Sequence, residues 1–105
     1  MKKIECIIRP SKLHDLEQTL RRIGIGGMTI YEVKGFGKEQ TRPDEYLFLP
    51  KTKLEIYCMD SQVEEIVEAI CKTCESGKLG DGKIAILPVD ELVRVRTGER
   101  GDSAA

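Results

Sequence analysis

"KTKLEIYCMDSQVEEIVEAICKTC", residues 51–74, changes its apolar period midway, and that change decides the fold. Over 51–59 the residues alternate, with Leu54, Ile56 and Cys58 on one side and Lys53, Glu55 and Tyr57 on the other. A period of two is that of a half-buried strand. From Val63 onward the apolar residues recur three and four apart, through Ile66, Val67, Ile70 and Cys74, which is the stripe of an amphipathic helix. Between them Ser61 and Glu64 have the spacing of a capping box.

The N-terminal part has the same strand-then-helix pattern. Ile4, Cys6 and Ile8 alternate with Lys3, Glu5, Ile7 and Arg9 over residues 3–9. Pro10 ends that strand, and Ser11 is a candidate N-cap. Leu13, Leu16, Leu20 and Ile23 make a helical stripe, with acids early (Asp15, Glu17) and bases late (Arg21, Arg22), as the helix dipole favours. Gly24 suits a left-handed C-terminal cap. Residues 28–33 and 84–89 are β-rich and read as two more strands. Val93 and Val95 alternate with Arg94 and Arg96 in a short extended segment, and 98–105 reads as a loose tail.

The order is β-α-β-β-α-β in a single domain, 1–105. Right-handed crossovers make the simplest solution an α+β, ferredoxin-like sandwich. Both helices then cover the sheet face of Cys6, Ile8, Leu54, Ile56 and Cys58. Glu5, Ile7, Glu55 and Tyr57 are left on a bare, half-apolar face, which predicts an oligomer.

Acids and bases nearly cancel, at a net charge of −1. That is no footprint for nucleic acid. No apolar run approaches the ~20 residues of a membrane helix, and the N-terminus has no signal-peptide core. A cytoplasmic protein with reduced thiols is expected.

Three groups of residues invite chemistry. "ESGKLGDGKIAILP", residues 75–88, matches G-x-x-x-x-G-K, but Ile84 stands where a Walker loop needs Ser or Thr, and the order is helix, loop, strand. The Walker assignment fails. Closely spaced glycines and a lysine still suit either an anion or a plain turn. Arg94 and Arg96, two apart, would share one face of an extended segment, to meet an anion or to lie solvated. Cys71 and Cys74 form a single C-x-x-C, half of a four-ligand zinc site, and buried structural thiols are the better reading. One histidine, His14, and no G-x-S-x-G argue against a hydrolase, and no enzyme is expected.

Several blocks together resemble the PII nitrogen-signalling family: "MKKIECIIRPSKL", "GIGGMTIYEVKGFG", "FLPKTKLEI", "SGKLGDGKIAILPV" and "VRVRTGER". The resemblance runs through nearly the whole chain. It implies a homotrimer of ferredoxin-like subunits with ATP or ADP, and AMP as a further candidate, in each cleft between neighbours. It implies that Gly80, Asp81, Gly82 and Lys83 cradle the phosphates, with Ser76 where the family usually has threonine. Arg94 and Arg96 would reach those phosphates from the neighbouring subunit. Ile7, Gly27, Met28, Thr29, Glu55 and Tyr57 would line the adenine and ribose pocket, and Gly35, Gly37 and Lys38 would close over it. Mg²⁺ would accompany ATP, with no structural metal. A T-loop, about residues 36–49 here, would report to a protein such as an ammonium channel, a nitrogen-metabolism enzyme or a transcription factor.

The departures lie in that loop. "KEQTRPDEYL" is several residues shorter than the usual segment and lacks its Tyr-Arg-Gly-Ala/Ser-Glu-Tyr block, so modification of Tyr46 is not expected. Glu39 stands where the family has a glutamine that helps hold Mg²⁺ and 2-oxoglutarate, with Gln40 next to it. Lys51 resembles the lysine that pairs with 2-oxoglutarate, and Gly80 would join that effector site. Gln40 would take that place after a shift of the loop; if Glu39 takes it, its charge would repel that dianion. A divergent member using another small anion, such as bicarbonate in a carboxysome setting, is therefore preferred over a conventional 2-oxoglutarate sensor. An enzyme on this scaffold and a cation-tolerance-type metal-binding trimer are weaker readings.

Overall fold

The computed structural model describes residues 1–38 and 48–105. Its elements are β1 (Lys2–Ile8), α1 (Leu13–Ile23), β2 (Thr29–Gly35), β3 (Leu49–Cys58), α2 (Val63–Cys74) and β4 (Gly82–Pro88). The strands form one sheet in the order β2-β3-β1-β4, with every neighbour antiparallel. This is the ferredoxin-like α+β arrangement. β1 and β3 are central because they carry the densest alternation of apolar residues.

The two helices lie on one face. Ile4, Cys6 and Ile8 of β1 and Leu54, Ile56 and Cys58 of β3 are buried against Leu16 and Leu20 of α1 and Val63, Ile66, Ile70 and Cys74 of α2. Each buried branched side chain contributes roughly 1.5–3 kcal/mol. Gly24 ends α1 in the left-handed region (φ 89°), its N–H donating to the carbonyls of Leu20 and Arg21.

Among the described residues no helix covers the other face. Glu5 and Glu55 sit directly opposite each other on β1 and β3. Like charges so placed repel, and two lysines bracket them. Lys3 lies 2.8 Å from Glu5 and 3.9 Å from Glu55, and Lys53 lies 3.8 Å and 3.6 Å from the same two. The hydrogen bond from Lys3 holds the Glu5 carboxyl below its ordinary pKa. Lys53 also stands over the Tyr31 ring, 5.4 Å from its centre. Ile7 (41 %) and Tyr31 (42 %) keep the face partly apolar.

Several local expectations are corrected. Pro10–Lys12 and Asp60–Gln62 are short 3₁₀ turns, so neither Ser11 nor Ser61 caps a helix with its side chain. At the second turn the Gln62 side chain accepts from the Met59 N–H at 3.1 Å, in place of the Ser61–Glu64 box. β4 starts at Gly82, two residues before the expected strand. Val95–Thr97 is a turn, closed by the Gly98 N–H on the Arg94 carbonyl at 2.7 Å, so Arg94 and Arg96 do not share a strand face. The tail is ordered: Val93 bridges to Arg100, and Gly101–Ala104 is a 3₁₀ turn.

Candidate functional site

Residues 75–83 join α2 to β4, and the Asp81 carboxylate organises them. It accepts hydrogen bonds from the Ser76 hydroxyl, the Ser76 N–H at 2.6 Å, the Gly77 N–H at 3.0 Å and Arg9 Nε at 3.4 Å. The bonds from Ser76 come first, then those from Arg9 and Gly77, in holding its carboxyl well below the usual range. Asp81 therefore acts as the loop's internal anion. It takes the Ser76 and Gly77 donors at the start of the loop.

Gly82 must be glycine. Its φ is 118°, and a Cβ there would stand 1.9 Å from the Ile7 carbonyl oxygen. The β1–β4 ladder pairs Ile8 with Gly82 and Ile7 with Lys83. Close backbone approach here lets the strand begin inside the loop and presents the exposed Lys83 beside Ile7.

Two cations converge on the same turn. Lys51 Nζ lies 3.4 Å from the Gly80 carbonyl oxygen, which unites two of the expected effector residues. Arg9 Nη2 donates to the Leu79 carbonyl at 2.7 Å and Nε to Asp81. The sequence pattern marks Arg9 only as the last residue of a strand. The signal lay in the register: β1 ends beside the start of β4, which puts Arg9 next to Asp81.

The expected adenine and ribose residues divide. Thr29 pairs with Glu55 and Ile7 with Lys83, and with Tyr57 all five lie on the open sheet face. Met28 packs against the core, and Gly27 before it is exposed. Gly35 ends β2, and Gly37 and Lys38 follow it, exposed. Phe36 and Phe48, near the two ends of the expected T-loop, meet at a ring separation of 5.9 Å. Glu39, Gln40 and Tyr46 lie outside the described residues.

Arg94 and Arg96 are not at the loop. At about 3.3 Å per residue, β4 carries the chain roughly 20 Å away from Gly82 before the tail begins. Arg94 Nη2 there donates to the carbonyls of Ser103 at 3.3 Å and Ala105 at 3.4 Å. Among the described residues its buried Nε has no hydrogen-bond partner. Arg96 is exposed in the neighbouring turn.

Of the thiols, Cys6, Cys58 and Cys74 are buried as expected, but Cys71 is exposed, which corrects its assignment to the core. It occupies the solvent side of α2, off the Ile66–Ile70–Cys74 stripe. Burial pushes the Cys6 thiol up to about 12. No helix among the described residues is long and apolar enough to cross a membrane.

Residues 1–99 match the family described as Nitrogen regulatory protein P-II. The chain is 47 % identical to the "Nitrogen regulatory protein P-II" of Pasteurella multocida (strain Pm70) and to that of Azospirillum brasilense, over 99 % of both chains in each case. It is 46 % identical to "Nitrogen regulatory protein P-II 1" of Escherichia coli (strain K12), again over 99 % of each. These alignments span 111 positions against a chain of 105, so the relatives carry residues that this chain lacks.

Proposed function

The chain belongs to the nitrogen regulatory protein P-II family, and we propose that it is a regulator, not an enzyme, which binds ATP or ADP in clefts between the subunits of a homotrimer. The phosphates lie on the Gly80–Lys83 turn of one subunit and meet Arg94 and Arg96 of the next. The base and ribose lie against Ile7, Thr29, Glu55 and Tyr57 and the Gly27–Met28 backbone. Gly35, Gly37 and Lys38 close over them, and the short T-loop carries the state of the site to a protein partner in the cytoplasm.

The separation along β4 carries this reading. One chain holds cations at both ends of that strand and cannot bring them to one phosphate group. A second copy can, and the bare sheet face gives copies a surface to share. A nucleotide favoured in one loop state shifts the loop population by its difference in affinity between states.

The effector position is the turn where Lys51 meets Gly80, with Arg9 nearby. A small dianion such as 2-oxoglutarate, bound with MgATP, suits those cations. The relatives, similar along their whole length, are named for nitrogen regulation, and this favours 2-oxoglutarate over bicarbonate.

Mixing two weakened variants tests the shared cleft. Lys83→Ala and Arg94→Ala each remove a charge-assisted bond, so ADP affinity falls roughly 10- to 100-fold in either alone. Unfolded and refolded together in equal amounts, they regain native affinity in about a quarter of the clefts, because random assembly pairs the intact halves that often. No recovery would refute a cleft shared between subunits. Separate arms with MgATP plus 2-oxoglutarate or bicarbonate identify the effector: enhancement by bicarbonate alone would overturn the nitrogen reading.

A further inference from the structure

We propose that Cys71 and Cys74 form a peroxide-sensitive dithiol whose oxidation rearranges the loop at residues 75–83. Cys71 is exposed and Cys74 is buried one turn later on α2. Both line a cavity of about 180 Å³, together with Ile8, Ile70, Asp81 and Gly82. An oxidant entering from solvent meets Cys71 first and leaves it beside a second thiol in the same space. Burial raises the Cys74 pKa, which also favours Cys71 as the first nucleophile.

The chemistry runs in two steps. The Cys71 thiolate attacks a hydroperoxide: an S–O bond forms, the O–O bond breaks, and the displaced oxygen leaves as water or an alcohol after taking a proton. Cys71 is now a sulfenic acid. The Cys74 sulfur then attacks the Cys71 sulfur: the S–S bond forms, the S–O bond breaks, and the hydroxyl leaves as water with the Cys74 proton. The dithiol loses two electrons and the peroxide gains them.

The bond cannot form without moving the loop. Residues three apart on a helix hold their Cβ atoms about 5–6 Å apart, and a disulfide needs about 3.5–4.5 Å. Closing that gap unwinds the last helical turn. Cys74 is the final residue of α2, and Glu75 is already extended (φ −68°, ψ 139°). The turn is held there by the Glu75 N–H on the Cys71 carbonyl at 3.0 Å. The next two amides, of Ser76 and Gly77, donate to Asp81. Drawing Cys74 toward Cys71 pulls both away from that carboxylate and loosens the turn that opens β4. The consequence for nucleotide affinity rests on the function proposed above; the disulfide and the loop displacement do not.

The reduced full-length chain, treated with one equivalent of hydrogen peroxide, tests this by intact mass, peptide mapping and amide hydrogen exchange. The expected product is an intramolecular Cys71–Cys74 disulfide, two hydrogens lighter, with faster exchange at Ser76 and Gly77 that dithiothreitol reverses. Cys71→Ser, at an exposed position, abolishes the reaction. Cys74→Ala leaves Cys71 as a sulfenic acid that dimedone traps. ADP affinity falls several-fold in the oxidised form. A Cys6–Cys74 bond, a disulfide between two chains, or no reaction would overturn the proposal, as would a disulfide with unchanged exchange at Ser76 and Gly77. If ADP binds neither form, the nucleotide reading fails and the mass and exchange data still decide this one.

Discussion

Gly82 and Asp81 show how adjacent residues of one short loop do opposite work. Gly82 serves by what it lacks: any Cβ would collide with the Ile7 carbonyl, and its φ of 118° suits no other residue. Gly82→Ala should destabilise the chain by about 2 kcal/mol or more, read as a lower urea midpoint. Asp81 serves by its charge. Its folded pKa is depressed below the ordinary 3.8, so the ionised form is the one the loop binds. Its contribution is complete above about pH 4 and is lost as pH falls through the lower folded value. Amide exchange at Ser76 and Gly77, corrected for intrinsic pH dependence, should quicken below that point in the native chain. Asp81→Asn should show the faster exchange already at neutral pH.

At the scale of elements, legibility follows the strength of the local signal. The switch from period two to period 3.6 at residues 51–74 needs no tertiary context, so β3 and α2 were readable. Leu16 and Leu20 marked α1 for the same reason, and Gly24 marked its end. Gly24→Ala keeps the helix but strains the cap, and should cost about 1 kcal/mol in thermal or urea unfolding. The helix starts misled because Ser11 and Ser61 fall inside 3₁₀ turns, where the chain tightens before each helix and the hydroxyls no longer meet the expected amides. The segment after β4 misled more. Val93, Arg94, Val95 and Arg96 alternate as a strand would, yet among the described residues no strand of the sheet pairs with them. The backbone instead folds back on Glu99 and Arg100. Alternation specifies a strand only where a sheet can receive it. Cys71 failed for a related reason: a C-x-x-C spacing puts its two residues on neighbouring but different lines of a helix, and only the packing of α2 shows which one is buried. Arg9 required the β1–β4 register, which no single segment encodes.

At the scale of the molecule, the helices cover one sheet face over its central strands, leaving Ile30 and Ile86 on the edge strands exposed, and the other face carries paired charges. Lys3, Glu5, Lys53 and Glu55 satisfy one another on that face without closing it. The Gly80–Lys83 turn lies at one end of β4 and Arg94 lies beyond the other, so the site we propose needs two chains. The most direct test is a calorimetric titration of the full-length chain with ADP, paired with sedimentation equilibrium on the same sample. The account predicts a trimer that binds one ADP per chain, with binding weakened in both Lys83→Ala and Arg94→Ala. A monomer that binds ADP with its affinity unchanged by Arg94→Ala, or a trimer that gives no binding heat with ADP or ATP over a range of temperatures, would contradict it.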